Sequence, residues 1–362
     1  MKAIITVGMG YGDEGKGKIV AYLTKKYNSQ YNVFYSGGFQ RAHNIVEKDK
    51  KHTFSQFGSG TFFGAKTYHD RDCIIDPLSL VQEAKHLESL GVCNPLDLVS
   101  FHPDCLVSTQ YHLAVNRAKE RFREKGKKQR HGSCGLGIGE TRRLWSQYDA
   151  CVRALDLSNN DELIRKLFRI RDIMGDTLND LNIPFPEEWP TSPYDVFKDL
   201  IAHKLQISEF FISGWVRHFD EGKIIFEGSQ GILLDQHYGV NPHTTWSDVT
   251  PRNAVELCNY LNLEYETCGV TRTYLTRHGA GPLNEFEYGI KDEYNPSNDW
   301  QGYLRSGPLN LTKLKEGCDK FNIDYLAVNH EDQIPRFQEI HRTVKQVKYV
   351  GFGPSCLDVK EM

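Results

Sequence analysis

The first 27 residues constrain the fold of this chain more than any later segment. An apolar run, AIITVG, is followed by the glycine-rich stretch GMGYGDEGKGK (8–18), whose last residue begins a segment, KIVAYLTKKY, with apolar residues at helical spacing. Strand, glycine-rich turn and helix form a βα unit, and later apolar runs alternate with helical segments. The sequence therefore predicts an α/β fold with a mostly parallel central sheet flanked by helices, in which ligands bind at the carboxyl ends of strands.

The composition indicates a soluble, cytoplasmic, single-domain protein. The chain has 362 residues without an internal repeat or evident linker, and we interpret 1–362 as one domain. A formal net charge of -3 argues against a general nucleic-acid or membrane surface. No apolar run reaches the ~20 residues that a membrane span needs. Nine scattered cysteines without a C-x-x-C pair fit reduced cytosolic thiols.

The glycine-rich stretch is nearly a phosphate-binding loop. Gly10, Gly15 and Lys16 have the spacing G-x-x-x-x-G-K, but Gly17 stands where Ser or Thr would hold Mg²⁺. Backbone N–H groups of such a turn bind anions, and Lys16 adds a point charge. Asp13 lies inside the loop and either supplies the missing metal ligand or acts as a base. The alternative, a strand–helix turn without a ligand, is disfavoured by this spacing of glycines and lysine.

Polar motifs also follow other strand candidates. His43 comes after the Gly-Gly turn of SGGFQRAHNIV, Gln230 lies in the turn GSQG, and Asp332 ends the stretch NHED. Each has a structural alternative, because an isolated histidine is more often structural and Gln230 serves equally as a turn former. A second glycine-rich segment, RHGSCGLGIGET (130–141), either brings backbone donors to a second phosphate or is a flexible surface loop.

Taken together, these motifs resemble those of adenylosuccinate synthetase, in order along most of the chain. GYGDEGKGK resembles W-G-D-E-G-K-G-K, GGFQRAHN resembles G-G-x-N-A-G-H-T, and FEGSQGILLD resembles F-E-G-A-Q-G-x-x-L-D. TRHGAGPL (276–283) resembles T-R-V-G-A-G-P-F, and GFGPSCLD resembles the G-P-x-R-D segment near the C-terminus. The resemblance implies a P-loop-like adenylosuccinate synthetase fold and a ligase that forms a C–N bond between aspartate and C6 of a 6-oxopurine nucleotide.

The resemblance also implies roles for particular residues. A nucleoside triphosphate phosphorylates O6 of the purine, and the aspartate amine then displaces phosphate. Asp13 takes the N1 proton, His43 is the general acid of phosphoryl transfer, and Gln230 holds the O6 region. Lys16 and Mg²⁺ neutralise developing charge. Asp13 also contacts the metal, so no hydroxyl is needed at position 17, and the carbonyl of Ala42 is the second metal contact.

Three binding sites are implied for the small-molecule substrates. The nucleoside triphosphate site combines the first loop, NHED and the C-terminal segment, and comprises Gly12, Glu14, Gly15, Lys16, Gly17, Asn329, Asp332, Gly353 and Pro354. The purine monophosphate site comprises Asp13, Gln40, Ser133, Cys134, Gln230, Thr245 and Tyr303. The aspartate site comprises Gln301, Gly302 and Arg305. The resemblance further implies a homodimer, in which the candidates to reach the other subunit's substrate are Arg142, Arg143 and Arg153.

Several positions depart from the family's motifs. Gln40 replaces an asparagine, and Ser133 and Cys134 replace two threonines near the substrate 5′-phosphate. Tyr303 replaces an arginine that reaches the ribose 2′-hydroxyl, and losing that contact removes a reason to prefer ribose over deoxyribose. His330 stands where the motif T-K-x-D, which reads guanine in the triphosphate, has lysine.

These departures indicate a divergent branch that resembles the phage-type enzyme joining aspartate to dGMP. dGMP carries the same N1–H and O6 as IMP, so the same acid and base serve, with ATP or dATP as donor. The product, 2-amino-2′-deoxyadenylosuccinate, leads to 2-aminoadenine DNA. The alternatives are a synthetase that uses IMP and GTP, and a non-catalytic nucleotide sensor. A sensor need not keep both the base Asp13 and the acid His43, which argues against it.

Overall fold

The computed structural model describes residues 2–126, 132–203, 205, 223–284, 290 and 300–362, in which strands and helices alternate. The strands, numbered in chain order, are β1 (Lys2–Gly8), β2 (Tyr31–Phe34), β3 (His43–Glu47), β4 (Lys50–Phe54), β5 (Lys66–His69), β6 (Ile74–Ile75), β7 (Val99–Phe101), β8 (Leu106–Val107), β9 (Val152–Arg153), β10 (Lys223–Glu227), β11 (Glu264–Arg272), β12 (Leu275–Arg277), β13 (Arg305–Gly307), β14 (Tyr325–Asn329), β15 (Val347–Gly351) and β16 (Val359–Glu361). The α-helices are α1 (Lys16–Tyr27), α2 (Pro77–Ser89), α3 (Gln110–Lys125), α4 (Ile138–Tyr148), α5 (Asn160–Asp180), α6 (Pro193–Ile201), α7 (Arg252–Tyr260), α8 (Leu311–Lys320) and α9 (Phe337–Thr343).

A nine-stranded sheet lies at the centre, in the order β16-β15-β14-β11-β1-β10-β2-β5-β7. Neighbouring strands pair in parallel up to β15, and β16 adds an antiparallel edge. β1 runs between β10 and β11, so the loop that follows it emerges at the middle of the sheet. The predicted α/β fold with a mostly parallel sheet is confirmed. Of the helices in the described part of the chain, none has the length and apolar character that crossing a membrane requires.

The side chains of β1 are buried on both faces of the sheet, which explains why helices cover both faces. Ala3 and Ile5 pack with Leu257 of α7 on one face. Ile4 packs with Ile19 of α1 on the other face. Since burial of such an aliphatic side chain is worth about 1.5–3 kcal/mol, the continuous apolar run of β1 is a strand that helices must enclose.

Two predicted helices differ from the structure at their ends. We predicted a helix over 195–217, whereas α6 begins at Pro193 because Ser192 caps it, its hydroxyl accepting from the N–H of Tyr194 at 3.2 Å. Position 204 and positions 206–217 of that prediction lie outside the described residues. The helix predicted after the glycine-rich loop from residue 18 begins two residues earlier, since Gly15 caps it in a left-handed conformation, with φ of 81°.

Candidate active site

The loops at the carboxyl ends of the central strands line one cavity of about 880 Å³. It brings together most of the residues that the sequence assigned to the substrates, namely Gly12, Asp13, Gly15, Lys16, Gly17, Gln40, Ala42, His43, Ser133, Cys134, Gln230, Thr245, Gln301, Asp332, Gly353 and Pro354. The assigned residues outside its lining are Glu14, Gly302, Tyr303, Arg305 and Asn329. Segments far apart in sequence therefore converge because parallel strands end at one edge of the sheet.

A buried carboxylate shapes the first loop from within. Glu14 accepts hydrogen bonds from the backbone N–H groups of Gly10 at 3.0 Å and Gly12 at 2.8 Å. It also pairs with the Nζ of Lys16 at 2.5 Å, and both side chains are buried. Glu14 was expected to contact the triphosphate directly, whereas its carboxylate faces the inside of the loop. It organises the backbone amides, while Lys16 also lines the cavity.

Asn329 supports the same loop from β14. Its Nδ2 donates to the carbonyl of Glu14 at 2.8 Å and to that of Gly15 at 3.3 Å. A β-carbon at position 15 would lie 2.7 Å from this Nδ2, so only glycine fits there. Asn329, expected at the triphosphate, thus packs beneath the loop, and the N-terminus of α1 is left to face anions in the cavity.

Asp13 is held by groups from β11 and β12. Its backbone is left-handed, with φ of 60°, a conformation that Asp adopts more readily than most residues. The Nε of Arg272 donates to the Asp13 carbonyl, and Thr276 Oγ1 donates to the carbonyl of Gly12 at 3.2 Å. The carboxylate itself reaches the cavity, where its Oδ2 lies 3.5 Å from His278 Nε2.

His43 is paired with a buried carboxylate that sequence analysis missed. Its Nδ1 lies 2.6 Å from Oε1 of Glu227, the last residue of β10, whose side chain is 0% exposed. The same carboxylate accepts from the Ser59 N–H at 2.9 Å and from the Ser59 hydroxyl. A carboxylate on Nδ1 fixes the proton there and leaves Nε2 for chemistry in the cavity. The signal in the sequence was a glutamate at a strand end, three residues before Gln230.

The expected triphosphate end of the cavity contains an uncharged ring and a buried lysine. Burial, together with the nearby Arg272 and Lys18 charges, lowers the pKa of His330 well below 6.5, so the ring is neutral at physiological pH. His330 packs edge-to-face on Tyr274, with ring centroids 5.9 Å apart. The Nζ of Lys18 donates to the Gly353 carbonyl at 2.8 Å, and burial lowers the pKa of Lys18 to about 8.

We expect the KM for the nucleoside triphosphate to rise above about pH 8, because Lys18 then loses its charge. Lysine titrates near 10.4 in unfolded chains, so between about pH 8 and 10 the Lys18 side chain is protonated in the unfolded state and mostly neutral in the folded state. The free energy of unfolding therefore rises with pH in this range. A weaker KM would therefore not reflect unfolding. Initial rates at varied triphosphate concentration check this. Lys18→Arg keeps its charge and should flatten the dependence, whereas a flat wild-type profile would contradict it.

The expected monophosphate end of the cavity lies at the N-terminus of α4. Ser133 Oγ is 3.1 Å from Asn116 Nδ2, and Asn116 Oδ1 accepts from the N–H of Gly137, the α4 cap, at 3.2 Å. Burial raises the pKa of Cys134 to about 11, so this residue is a thiol. Buried Oε1 of Gln40 has no hydrogen-bond partner within the described residues. This end therefore combines a helix N-terminus with hydroxyl, thiol and amide groups for a second anion.

The three arginines considered for a contact between subunits differ in position. Arg143 lines the cavity and pairs with Glu140, Nε to Oε2, at 3.0 Å. Arg142 donates to the Asp72 carbonyl, and Arg153 pairs with Asp104 at 2.8 Å; neither lines the cavity. Of the three, Arg143 therefore faces the cavity of its own chain, whereas Arg142 and Arg153 lie outside that lining.

The loop expected to bind aspartate lies only partly at the cavity. Gln301 lines the cavity, and its carbonyl accepts from the Gly279 N–H at 3.2 Å. Arg305 Nη2 instead donates to the carbonyls of Gly279 at 2.6 Å and Gly281 at 3.1 Å. Tyr303 is 67% exposed and is not part of the cavity lining. Arg305 thus holds a neighbouring loop in this structure.

A magnesium ion would find few protein ligands here. No group of three or more His, Cys, Asp or Glu side chains that could hold a metal occurs in the described part of the chain. The carboxylate of Asp13 and the main chain of Ala42 nevertheless line the same cavity as Lys16. One or two protein oxygens suit Mg²⁺, which takes its other ligands from phosphates and water. The donor set therefore fits a metal that arrives with the triphosphate.

Comparison with known proteins finds relatives over the whole length of the chain. A family model described as adenylosuccinate synthetase matches residues 5–349. The adenylosuccinate synthetase of Mesoplasma florum is 28% identical, with 94% of this chain and 79% of the relative covered. That of Thermobifida fusca is 30% identical, with 84% of this chain and 68% of the relative covered.

Two solved structures share the fold. The fully ligated adenylosuccinate synthetase of Plasmodium falciparum matches with a TM-score of 0.79 and 18% identity over 99% of each chain. The succinoaminodeoxyadenylate synthetase of cyanophage S-2L, solved with dGMP and dATP, matches with a TM-score of 0.69 and 18% identity, over 99% of this chain and 95% of the other. The chain therefore belongs to the adenylosuccinate synthetase family, C–N ligases that join aspartate to a purine nucleotide.

Proposed function

We propose that this ligase joins L-aspartate to C6 of dGMP, with ATP or dATP as phosphoryl donor, and forms 2-amino-2′-deoxyadenylosuccinate. The observation that carries the proposal is the position of Tyr303, which replaces the arginine that reaches a ribose 2′-hydroxyl in the family. Tyr303 is 67% exposed and lies outside the cavity lining. The arginine that remains, Arg305, donates to the carbonyls of Gly279 and Gly281. A deoxynucleotide therefore loses no contact with Tyr303 or Arg305.

The donor site supports an adenine nucleotide. Its His330 ring is neutral, because burial lowers the pKa of His330, whereas the family's guanine-reading motif places a charged lysine there. Asp332 remains at the cavity, beside Gly353 and Pro354. The cyanophage relative was solved with dGMP and dATP, the same pairing of acceptor and donor that we propose here.

In the proposed reaction, Asp13 and Lys16 from the first loop act together with His43 and Glu227. Asp13 removes the N1 proton, which places negative charge on O6, and O6 attacks the γ-phosphorus while the bond to the β-phosphate oxygen breaks. His43, whose Nδ1 faces Glu227, donates its Nε2 proton to the leaving β-phosphate oxygen as the bond to the γ-phosphorus breaks. Lys16 binds the donor phosphates, and bound Mg²⁺ would neutralise their charge. The neutral aspartate amine then attacks C6 and loses a proton to solvent, the bond between C6 and O6 breaks, and inorganic phosphate leaves.

Substrate preference tests the proposal directly. With aspartate and ATP present, we expect phosphate release with dGMP at a kcat/KM no lower than that with GMP, because no 2′-hydroxyl contact favours ribose, and at least about tenfold above that with IMP, which lacks the 2-amino group. The comparison of dGMP with GMP isolates the sugar, and that of dGMP with IMP adds the base. Turnover of IMP with GTP and none of dGMP would establish the alternative synthetase. Nucleotide binding without turnover of any purine would point to the sensor.

A further inference from the structure

A histidine stands beside the proposed base at the purine side of the cavity. His278 Nε2 lies 3.5 Å from Asp13 Oδ2, beyond the usual length of a direct N–H···O hydrogen bond. The two side chains are 16% and 21% exposed, and both residues line the cavity. The other ring nitrogen, Nδ1, is buried and has no hydrogen-bond partner among the described residues. Nε2 is therefore the ring nitrogen next to the place where a substrate would meet Asp13.

Two arginines hold the backbone of the loop that begins at His278. Arg277, which is 1% exposed, donates from Nε to the Ala280 carbonyl at 3.1 Å and from Nη2 to the His243 carbonyl at 2.9 Å. Arg305 donates to two further carbonyls of the loop 278–282. The backbone of the loop that carries His278 is therefore held at the carbonyls of Gly279, Ala280 and Gly281. His278 is therefore part of the cavity wall, on a loop that is held in place.

The strand order predicts which edge of a purine meets this wall. β1 lies between β10 and β11, so Asp13, after β1, has Gln230 on the β10 side and His278 on the β11 side. A purine with N1 at Asp13 and O6 toward Gln230 turns C2 toward His278. C2 carries an amino group in guanine and only hydrogen in hypoxanthine.

We propose that His278 reads the substituent at C2 and selects 2-aminopurine nucleotides, an inference that rests on the proposed function. A neutral imidazole has one acceptor nitrogen, and an ionised carboxylate accepts at both oxygens. With N1–H donating to Asp13, the 2-amino group donates to Nε2 of His278, whereas a purine without that group leaves Nε2 unsatisfied. Leaving a buried polar partner unsatisfied costs about tenfold to a hundredfold in affinity.

The test compares dGMP with dIMP, which differ only in the 2-amino group, by calorimetric Kd for wild type, His278→Val and His278→Asn. We expect wild type to bind dGMP at least about tenfold tighter. In His278→Val, valine being the residue of the family's motif, this ratio should fall close to one while dIMP affinity changes less than about threefold. His278→Asn keeps an acceptor oxygen and should retain most of the ratio.

Equal weakening of both nucleotides in His278→Val would reduce His278 to a positioning residue and overturn the inference, as would an unchanged ratio. The proposed function is decided separately, by turnover of dGMP against IMP. If IMP is preferred in turnover and the dGMP-to-dIMP binding ratio still collapses in His278→Val, the proposed function fails and the reading of C2 stands. If dGMP is preferred in turnover and the dGMP-to-dIMP binding ratio is unchanged in His278→Val, the proposed function stands and the inference about C2 fails.

Discussion

Asp13→Asn is expected to lower kcat for dGMP about a thousandfold, because the carboxylate is the proposed base and a positioned base contributes about 10²–10⁴ to rate. Asparagine has nearly the same shape and tolerates the left-handed backbone that Asp13 adopts, with φ of 60°. The Arg272 bond to the residue-13 carbonyl is also kept. The loop should therefore stay folded, and a Kd for dGMP within about tenfold of wild type is expected. Single-turnover phosphate release and calorimetry measure the two quantities.

Asp332→Asn is the matched comparison, since it makes the same change of carboxylate to amide in the same cavity at the triphosphate end. It should raise the KM for the triphosphate and leave the single-turnover rate at saturation close to wild type. If Asp13→Asn turns over dGMP as wild type does, Asp13 is not the base. If both variants lose rate equally, the loss reports the charge of the cavity rather than proton transfer.

The fold was predictable because its strongest signals are local. The apolar run of β1 and the glycines that follow it fix a strand, a turn and a helix within 27 residues, and the order of later strands and helices requires a parallel sheet. The first residue of helix α1 could not be predicted from the apolar spacing, because it is the left-handed Gly15 that makes the helix begin at Lys16. Such a boundary depends on backbone geometry that apolar spacing does not encode.

The cavity was predictable in outline, since loops after parallel strands converge. What individual polar residues do in it was not, because that depends on contacts between distant segments. Glu14 and Asn329 were assigned to the triphosphate from motifs, yet both hold the first loop, and the Asn329 contact spans 315 residues. The pairing of His43 with Glu227 spans 184 residues and is invisible in either motif alone.

Glu227→Gln is expected to lower kcat about a hundredfold, within the range for general acid catalysis, while the KM values for dGMP and ATP change little. Glu227 accepts from the Ser59 N–H at Oε2 and from the Ser59 hydroxyl at Oε1, and Oε1 also faces His43 Nδ1 at 2.6 Å. An amide offers one oxygen and one NH₂, so either His43 loses its acceptor or a Ser59 donor meets the NH₂ group. The expected loss therefore arises from a misplaced or less basic His43 ring.

A double-mutant cycle separates this positioning role from general damage. If Glu227 acts through His43, adding Glu227→Gln to His43→Ala should cost almost no further rate, because the two residues act as one unit. Multiplicative losses would contradict the pairing. Glu47→Gln is the matched control: Glu47 is 9% exposed on β3, four residues after His43, and pairs with Lys25 at 3.3 Å away from the cavity lining. Glu47→Gln should keep kcat near wild type. Melting temperatures of both variants check that neither is unfolded. A hundredfold loss of kcat in Glu227→Gln alone then assigns the effect to the His43 contact.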